Sequence, residues 1–342
     1  MAKYTIYLPL GQSQSFPVGT IFEKHMYVTD VLAYELKKEL YLMGHKVDIA
    51  YVPINSLDGK RLCIDELGID ITNNIPISSS LWMLIANRDT NKFSVIDLQD
   101  GPGTTFLLQQ HHNFVISLVG QFRLERYYEE NKDLNLSKLI PFNYFAYYPN
   151  LVDSLVEEIQ DIRSSSTLDD RVFFLGNNRE DYVHRGRRIR EVISSLEYFY
   201  PDEVRVGSFE KKLPPEEFWK EAAKHTISLG LPGHQWCSRE HELWTFGLPV
   251  MLYEHTHHMG IELIPNYHYV AVPVGERLSI GMADNPEEAA HQIMKTHREW
   301  ITPENRWRLD NIAKNGQIRM AKQASPKACI PKMIELLQLG YW

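Results

Sequence analysis

Residues 226–254 read TISLGLPGHQWCSREHELWTFGLPVMLYE, and the order of apolar runs, turns and charge along them decides the fold class. Thr226 to Leu229 is a β-prone run that ends in Gly230-Leu231-Pro232-Gly233, where glycines and a proline forbid regular structure. A helix starts near Ser238, covers Glu240 to Phe246 and is closed by Gly247, and Val250 to Tyr253 is the next strand. Strand, loop, helix and strand in so short a span make the β-α-β unit of a parallel sheet.

The same unit recurs on both sides. Upstream, Arg171 to Leu175 reads as a strand, Arg187 to Leu196 as a helix and Glu203 to Val206 as a strand, with a helix opened by Pro214-Pro215-Glu216-Glu217. Downstream, Tyr269 to Val274 is a strand, and Asn285-Pro286-Glu287-Glu288 carries the cap and proline of a helix start. The tail from Pro303 is amphipathic and helical. Near the start, Lys3 to Leu10 and Val47 to Val52 flank a helical stripe of Val28, Leu32, Leu36, Leu40 and Met43 that ends at Gly44. The apolar runs Leu81 to Ala86, Phe93 to Leu98, Phe114 to Val119 and Leu139 to Tyr148 read as buried parallel strands. Val152 to Ile162 reads as a helix, and Ser164 to Asp170 is polar and unpatterned, as a linker is. The expectation is an α/β protein of two Rossmann-like, doubly wound domains facing each other across a cleft. They are placed at residues 1–163 and 170–342, with the C-terminal helices packing back on the first domain.

Composition narrows the function. No run of about 18 apolar residues is present, so no membrane-spanning helix is expected. Met1 to Leu8 goes straight into a strand-like segment and lacks the longer apolar stretch of a signal peptide, so none is expected. Cys63, Cys237 and Cys329 are far apart and have neither zinc nor disulfide spacing, which makes a reducing, cytoplasmic setting the expectation. A net charge of -8 works against a large nucleic-acid surface. No phosphate-binding Gly-x-x-x-x-Gly-Lys loop, no Gly-x-Gly-x-x-Gly after the first strand and no Gly-x-Ser-x-Gly elbow occurs.

Three groups of residues can carry chemistry. Arg239 lies in the first turn of the helix that follows the 230–233 loop, where unpaired N–H groups and a guanidinium suit a phosphate. Glu242 shares its helical face and suits a pair of ribose hydroxyls, although an Arg and a Glu three apart also form ordinary solvated ion pairs. The second group is Gly176-Asn177-Asn178-Arg179 with Arg185-Gly186-Arg187-Arg188, after the first strand of the C-terminal half. Gly176, Arg179 and Arg188 suit a diphosphate at the carboxyl end of that strand. A solvated basic helix face and a nucleic-acid patch are the other readings. The third group is Asp97 and Asp100, which leave a strand toward Gly101-Pro102-Gly103. Either suits a general base, Asp100 the better because it abuts the Gly-Pro break, and either equally serves as a turn-forming side chain. Glu23, His25, His111 and His112 are lesser candidates, and His255, His257 and His258 lack the companion ligands of a metal site.

Arg239-x-x-Glu242-x4-Gly247-x-Pro249-Val250 resembles the signature in the C-terminal domain of glycosyltransferases of the two-Rossmann, GT-B, type. It is most similar to exostosin-like enzymes and bacteriophage DNA glucosyltransferases. The resemblance implies that Arg239 contacts the diphosphate and Glu242 the ribose of a nucleotide-sugar donor, with Arg179 and Arg188 resembling the arginines that follow a glycine loop. It implies a hexosyl- or pentosyltransferase that takes a nucleoside-diphosphate sugar such as a UDP-sugar. No separate cofactor and no metal are expected, in keeping with the lack of an Asp-x-Asp motif. The expected acceptor is a carbohydrate or small molecule, with DNA second. Glu-x4-Gly-x-Pro also occurs in sugar-nucleotide epimerases of the same fold, and a non-catalytic nucleotide-sugar-binding protein is the third reading.

Overall fold

The computed structural model describes residues 1–10, 28–53, 61–72, 82–97, 105, 108–119, 135–142, 149–175, 186–207, 213, 215–231, 238–253, 263–273 and 285–342. The chain forms two compact units. The first contains Met1–Pro149, His257–Glu262 and Gln323–Trp342, and the second contains Asn150–Thr256 and Leu263–Lys322. Both are α/β, and each is built on a sheet rich in parallel pairs.

In the first unit, β1 (Lys3–Leu10), α1 (Val28–Leu42) and β2 (Lys46–Pro53) form the expected parallel unit, with Gly44 turning the chain at a φ of 87°. β3 (Arg61–Ile64) and β4 (Ile69–Thr72) pair as an antiparallel hairpin around Gly68, also at positive φ. β5 (Trp82–Asn87), β6 (Phe93–Asp97), β7 (Phe114–Val119) and β8 (Leu139–Pro141) complete a six-stranded sheet of order β2-β1-β5-β6-β7-β8. The β1–β2, β6–β7 and β7–β8 pairs are parallel. β5 is antiparallel to both of its neighbours, which corrects the reading of residues 81–86 as a parallel strand. The cause is local. Only residues 88–92 join β5 to β6, too few for a crossover. Asn91 takes a φ of 60°, and the Asn87 side chain accepts from the Asp89 N–H to close the turn.

One face of this sheet carries α1 and the last helix of the chain, α8 (Pro326–Leu336). Leu32, Leu36 and Leu40 of α1 pack with Ile330, Met333 and Ile334 of α8 over Tyr4, Ile6 and Leu8 of β1. Each fully buried aliphatic side chain there contributes about 2 kcal/mol. The opposite face is covered by the β3–β4 hairpin, through Leu62, Ile64 and Ile69 against Trp82, Leu84 and Val95.

The second unit starts with α2 (Pro149–Ser165), so the compact units divide ahead of this helix and not at the polar stretch after it. Arg163 of α2 donates to the buried carbonyls of His225 and Thr226 at 2.9 and 3.3 Å, and Gln160 donates to the Phe246 carbonyl, which ties the helix to this unit. Burial pulls the Arg163 guanidinium down to about 10, although Asp310 is nearby. The sheet contains β9 (Val172–Leu175), β10 (Val204–Gly207), β11 (Ser228–Gly230), β12 (Val250–Tyr253) and β13 (Val270–Val272). All of its pairs are parallel, in the order β10-β9-β11-β12-β13. α3 (Gly186–Phe199) and α6 (Pro286–Trp300) cover one face, through Val192, Leu196, Ile293 and Met294 against Val172, Phe174 and Val270. α4 (Pro215–Ala223) and α5 (Ser238–Thr245) belong to the other face. There Phe218 stacks on Phe173 at 6.1 Å, and Trp219 meets Phe246 at 4.8 Å.

The caps follow the sequence. The Asn285 side chain accepts from the N–H groups of Glu287 and Glu288, and Gly247 ends α5 with a φ of 68°. α7 (Arg306–Gln323) follows α6, and among the described residues no helix is long and apolar enough to cross a membrane.

Candidate active site

Counted from β9, the strand order of the second sheet is 2-1-3-4-5. The chain leaves β9 toward one edge to make β10, then returns to the other side of β9 to make β11. Connections therefore diverge between β9 and β11, and the carboxyl ends of those two strands border the crevice where open α/β sheets bind ligands. Gly207 is level with Leu175, Gly230 with Leu252 and Leu252 with Ala271, while Ser228 is level with Phe173. The strands thus end almost in one line, and glycine closes β10 and β11 on either side of β9.

Both arginine-bearing stretches singled out in the sequence follow strands that end at this point. Residues 176–185 follow β9, and residues 232–237 connect β11 to α5. Gly176 and Arg179 lie outside the described residues. Arg188 and Arg239 are placed by backbone on the first turns of α3 and α5, and their side chains lie outside what is described. His255, His257 and His258 also lie outside it.

The rest of α5 is defined. Glu242 is half-buried, and its Oε2 accepts from the indole N–H of Trp219 on α4 at 2.7 Å. His241 is 2% exposed and packs edge-on to Trp244 at 5.8 Å. Burial alone pulls it down to about 3, so it is neutral at any ordinary pH. Glu240, passed over in the sequence, reaches back to the sheet. It is 2% exposed, and its Cγ and Oε1 each lie 2.9 Å from where a Cβ on Gly230 would stand. Its signal was present in the sequence as a glycine at the end of a strand and a carboxylate in the first turn of the next helix.

In the first unit, Asp97 closes β6 and is fully buried. Its Oδ2 accepts from the backbone N–H of Thr105 at 3.0 Å and from the Thr105 hydroxyl at 2.9 Å. That hydroxyl is also 2.9 Å from the Ser117 hydroxyl on β7. Asp97 therefore holds Thr105 at the end of β6. Asp100, Glu23 and His25 lie outside the described residues. His111 and His112 stack on each other at 4.5 Å just before β7, next to Phe93 at the start of β6. They sit at the other end of the strands from Asp97, and the structure does not bring them together with it. Burial and the His112 charge lower the His111 pKa.

No protein-family model matches the chain, and no curated protein matches it by sequence. Two solved structures are similar over nearly the whole length. A sucrose-phosphate synthase from Thermosynechococcus elongatus is 12% identical, with a TM-score of 0.44, over 92% of this chain and 94% of its own. A glycosyltransferase from Rickettsia africae is 12% identical, with a TM-score of 0.48, over 98% of each chain.

Proposed function

We propose that the chain is a glycosyltransferase that moves a sugar from a nucleoside-diphosphate donor, such as a UDP-sugar, to a hydroxyl of a carbohydrate or small molecule. One observation carries the reading. The two arginine-bearing stretches follow β9 and β11, the strands that border the switch point of a parallel 2-1-3-4-5 sheet, where such sheets hold phosphates. Arg239, at the start of α5, takes the diphosphate, and Arg179 and Arg188, with the close backbone approach that Gly176 permits, complete its neutralisation. Glu242 takes the ribose, with Trp219 holding one of its oxygens. Departure of the diphosphate is assisted by fixed positive charge, the task that a divalent ion performs in metal-dependent transferases.

An inverting transfer needs a base. Asp97 is closed off from solvent and occupied by Thr105, so we assign the proton transfer to Asp100, which follows it out of β6. The test is a panel of nucleoside-diphosphate sugars incubated with mixed acceptors while the released nucleoside diphosphate is counted. Release that requires acceptor supports transfer. Conversion of a donor incubated alone, with no diphosphate released, identifies an epimerase, and the absence of both leaves a binding protein.

A further inference from the structure

Glu240 has no part in that scheme, yet its buried side chain meets the carboxyl edge of β11. We propose that Glu240 is a positioning residue of the donor site. Docked over Gly230, it fixes the first turn of α5 against the end of β11 and so sets the place from which Arg239 acts. The inference rests on the transferase reading and adds to it the device that holds the phosphate-binding turn.

The geometry is specific to glycine. A Cβ at residue 230 would lie 2.1 Å from Leu252 Cδ2 and 2.9 Å from both Cγ and Oε1 of Glu240. The Leu252 contact involves the far end of a flexible side chain on the neighbouring strand. The Glu240 contact likewise involves side-chain atoms, on a residue in the first turn of α5. A side chain at 230 therefore displaces Leu252 and drives the Glu240 side chain from its place over the end of β11. Burying a carboxylate is costly compared with burying an apolar group of the same size, so stability alone does not favour glutamate there. A carboxylate does offer directional hydrogen bonding, which fixes a helix start more sharply than an apolar contact does. Arg239 is the adjacent residue in the same turn, and a displacement of about 1 Å there is enough to misalign a bidentate phosphate contact.

The experiment measures binding of UDP, GDP and ADP to the full chain by titration calorimetry, with thermal unfolding of each unliganded variant as the control. The variants are Glu240→Ala, Glu240→Gln and Gly230→Ala. The nucleotide that wild type binds most tightly is used throughout. Glu240→Ala and Gly230→Ala are expected to weaken it at least tenfold in protein that remains folded, while Glu240→Gln, which keeps the shape, stays within about threefold. Unchanged affinity in Glu240→Ala, with only a lowered Tm, would make the residue merely structural and overturn the proposal. Equal weakening in Glu240→Gln and Glu240→Ala would overturn it too, since the shape and the acceptor oxygen that glutamine keeps would then not be what positions the turn. If Glu240→Ala does not fold, Glu240→Asp, one methylene short of Gly230, replaces it with the same expectation. Wild type that binds none of the three nucleotides refutes the transferase reading itself, and the positioning role falls with it.

Discussion

Acidification should weaken this protein well before its carboxylates titrate, because two histidines of the second unit are buried in the neutral form. His241 and His297 are 2% and 1% exposed, and burial lowers them from 6.5 to about 3 and about 4 respectively. In the unfolded chain both take up a proton near pH 6.5 and in the fold they do not, so between 6.5 and their folded values the unfolded state binds more protons. Stability is therefore complete above pH 6.5 and falls as pH drops through the window below it. Each pH unit in that window removes about 1.4 kcal/mol per histidine. From pH 7.5 to 5.0 the loss is about 2 kcal/mol for each and about 4 kcal/mol for the pair. His225, 2% exposed and stacked on Phe173 at 4.3 Å, is lowered by the same cause and adds to the fall. Asp169, held at about 2 chiefly by its hydrogen bonds from Arg171, contributes stability that is lost only at lower pH, so the two effects separate on the pH axis. Urea unfolding at pH 7.5, 6.5 and 5.0, followed by tryptophan fluorescence, measures the slope. His297→Gln should remove about 2 kcal/mol of the pH dependence. A wild-type stability that is flat over this range, or a variant profile parallel to it, would refute the reasoning.

Other perturbations test the packing and the assignment of roles. Gly316→Ala, which in an exposed helix would stabilise by about 1 kcal/mol, should here destabilise by about 1–2 kcal/mol. The added Cβ would stand 2.7 Å from Trp244 and 2.9 Å from the His268 carbonyl, and a thermal melt reads the sign. Arg163→Met should cost about 3 kcal/mol in urea unfolding, because the carbonyls of His225 and Thr226 lose a charged donor inside the protein. Asp97→Asn should lower stability by about 1–3 kcal/mol through its Thr105 bonds while sugar transfer persists. Asp100→Asn should instead lower turnover by about 10²-fold or more with the melting temperature unchanged.

The second unit was the more legible half. Val172–Phe174 and Val250–Leu252 are buried on both faces, so each appears in the sequence as an unbroken apolar run, and parallel crossovers leave room for a helix between such runs. Gly247 and Asn285 were legible because each meets a local backbone demand, a left-handed residue and a helix cap. Strand direction was not. Trp82–Asn87 is as apolar as a parallel strand, and only the tight Asn87–Lys92 turn reveals that the chain doubles back. The β3–β4 hairpin was missed because its alternation is short, although Gly68 marks the turn. An amphipathic helix shows that it packs without showing on what, and α8, one of the C-terminal helices expected to return to the first domain, lies on its sheet. The same limit applies within α5. Periodicity gives the relative angles of Glu240 and Glu242, and only the fold shows that the first meets Gly230 and the second Trp219.

Sugar transfer by Arg239→Ala, read as nucleoside diphosphate released in the presence of acceptor, bears most directly on the proposed donor site. With folding unchanged by circular dichroism, turnover should fall by about 10²-fold or more, as expected when a fixed positive partner of a departing diphosphate is removed. Transfer by the variant at close to the wild-type rate would contradict the placement of the phosphates at the start of α5.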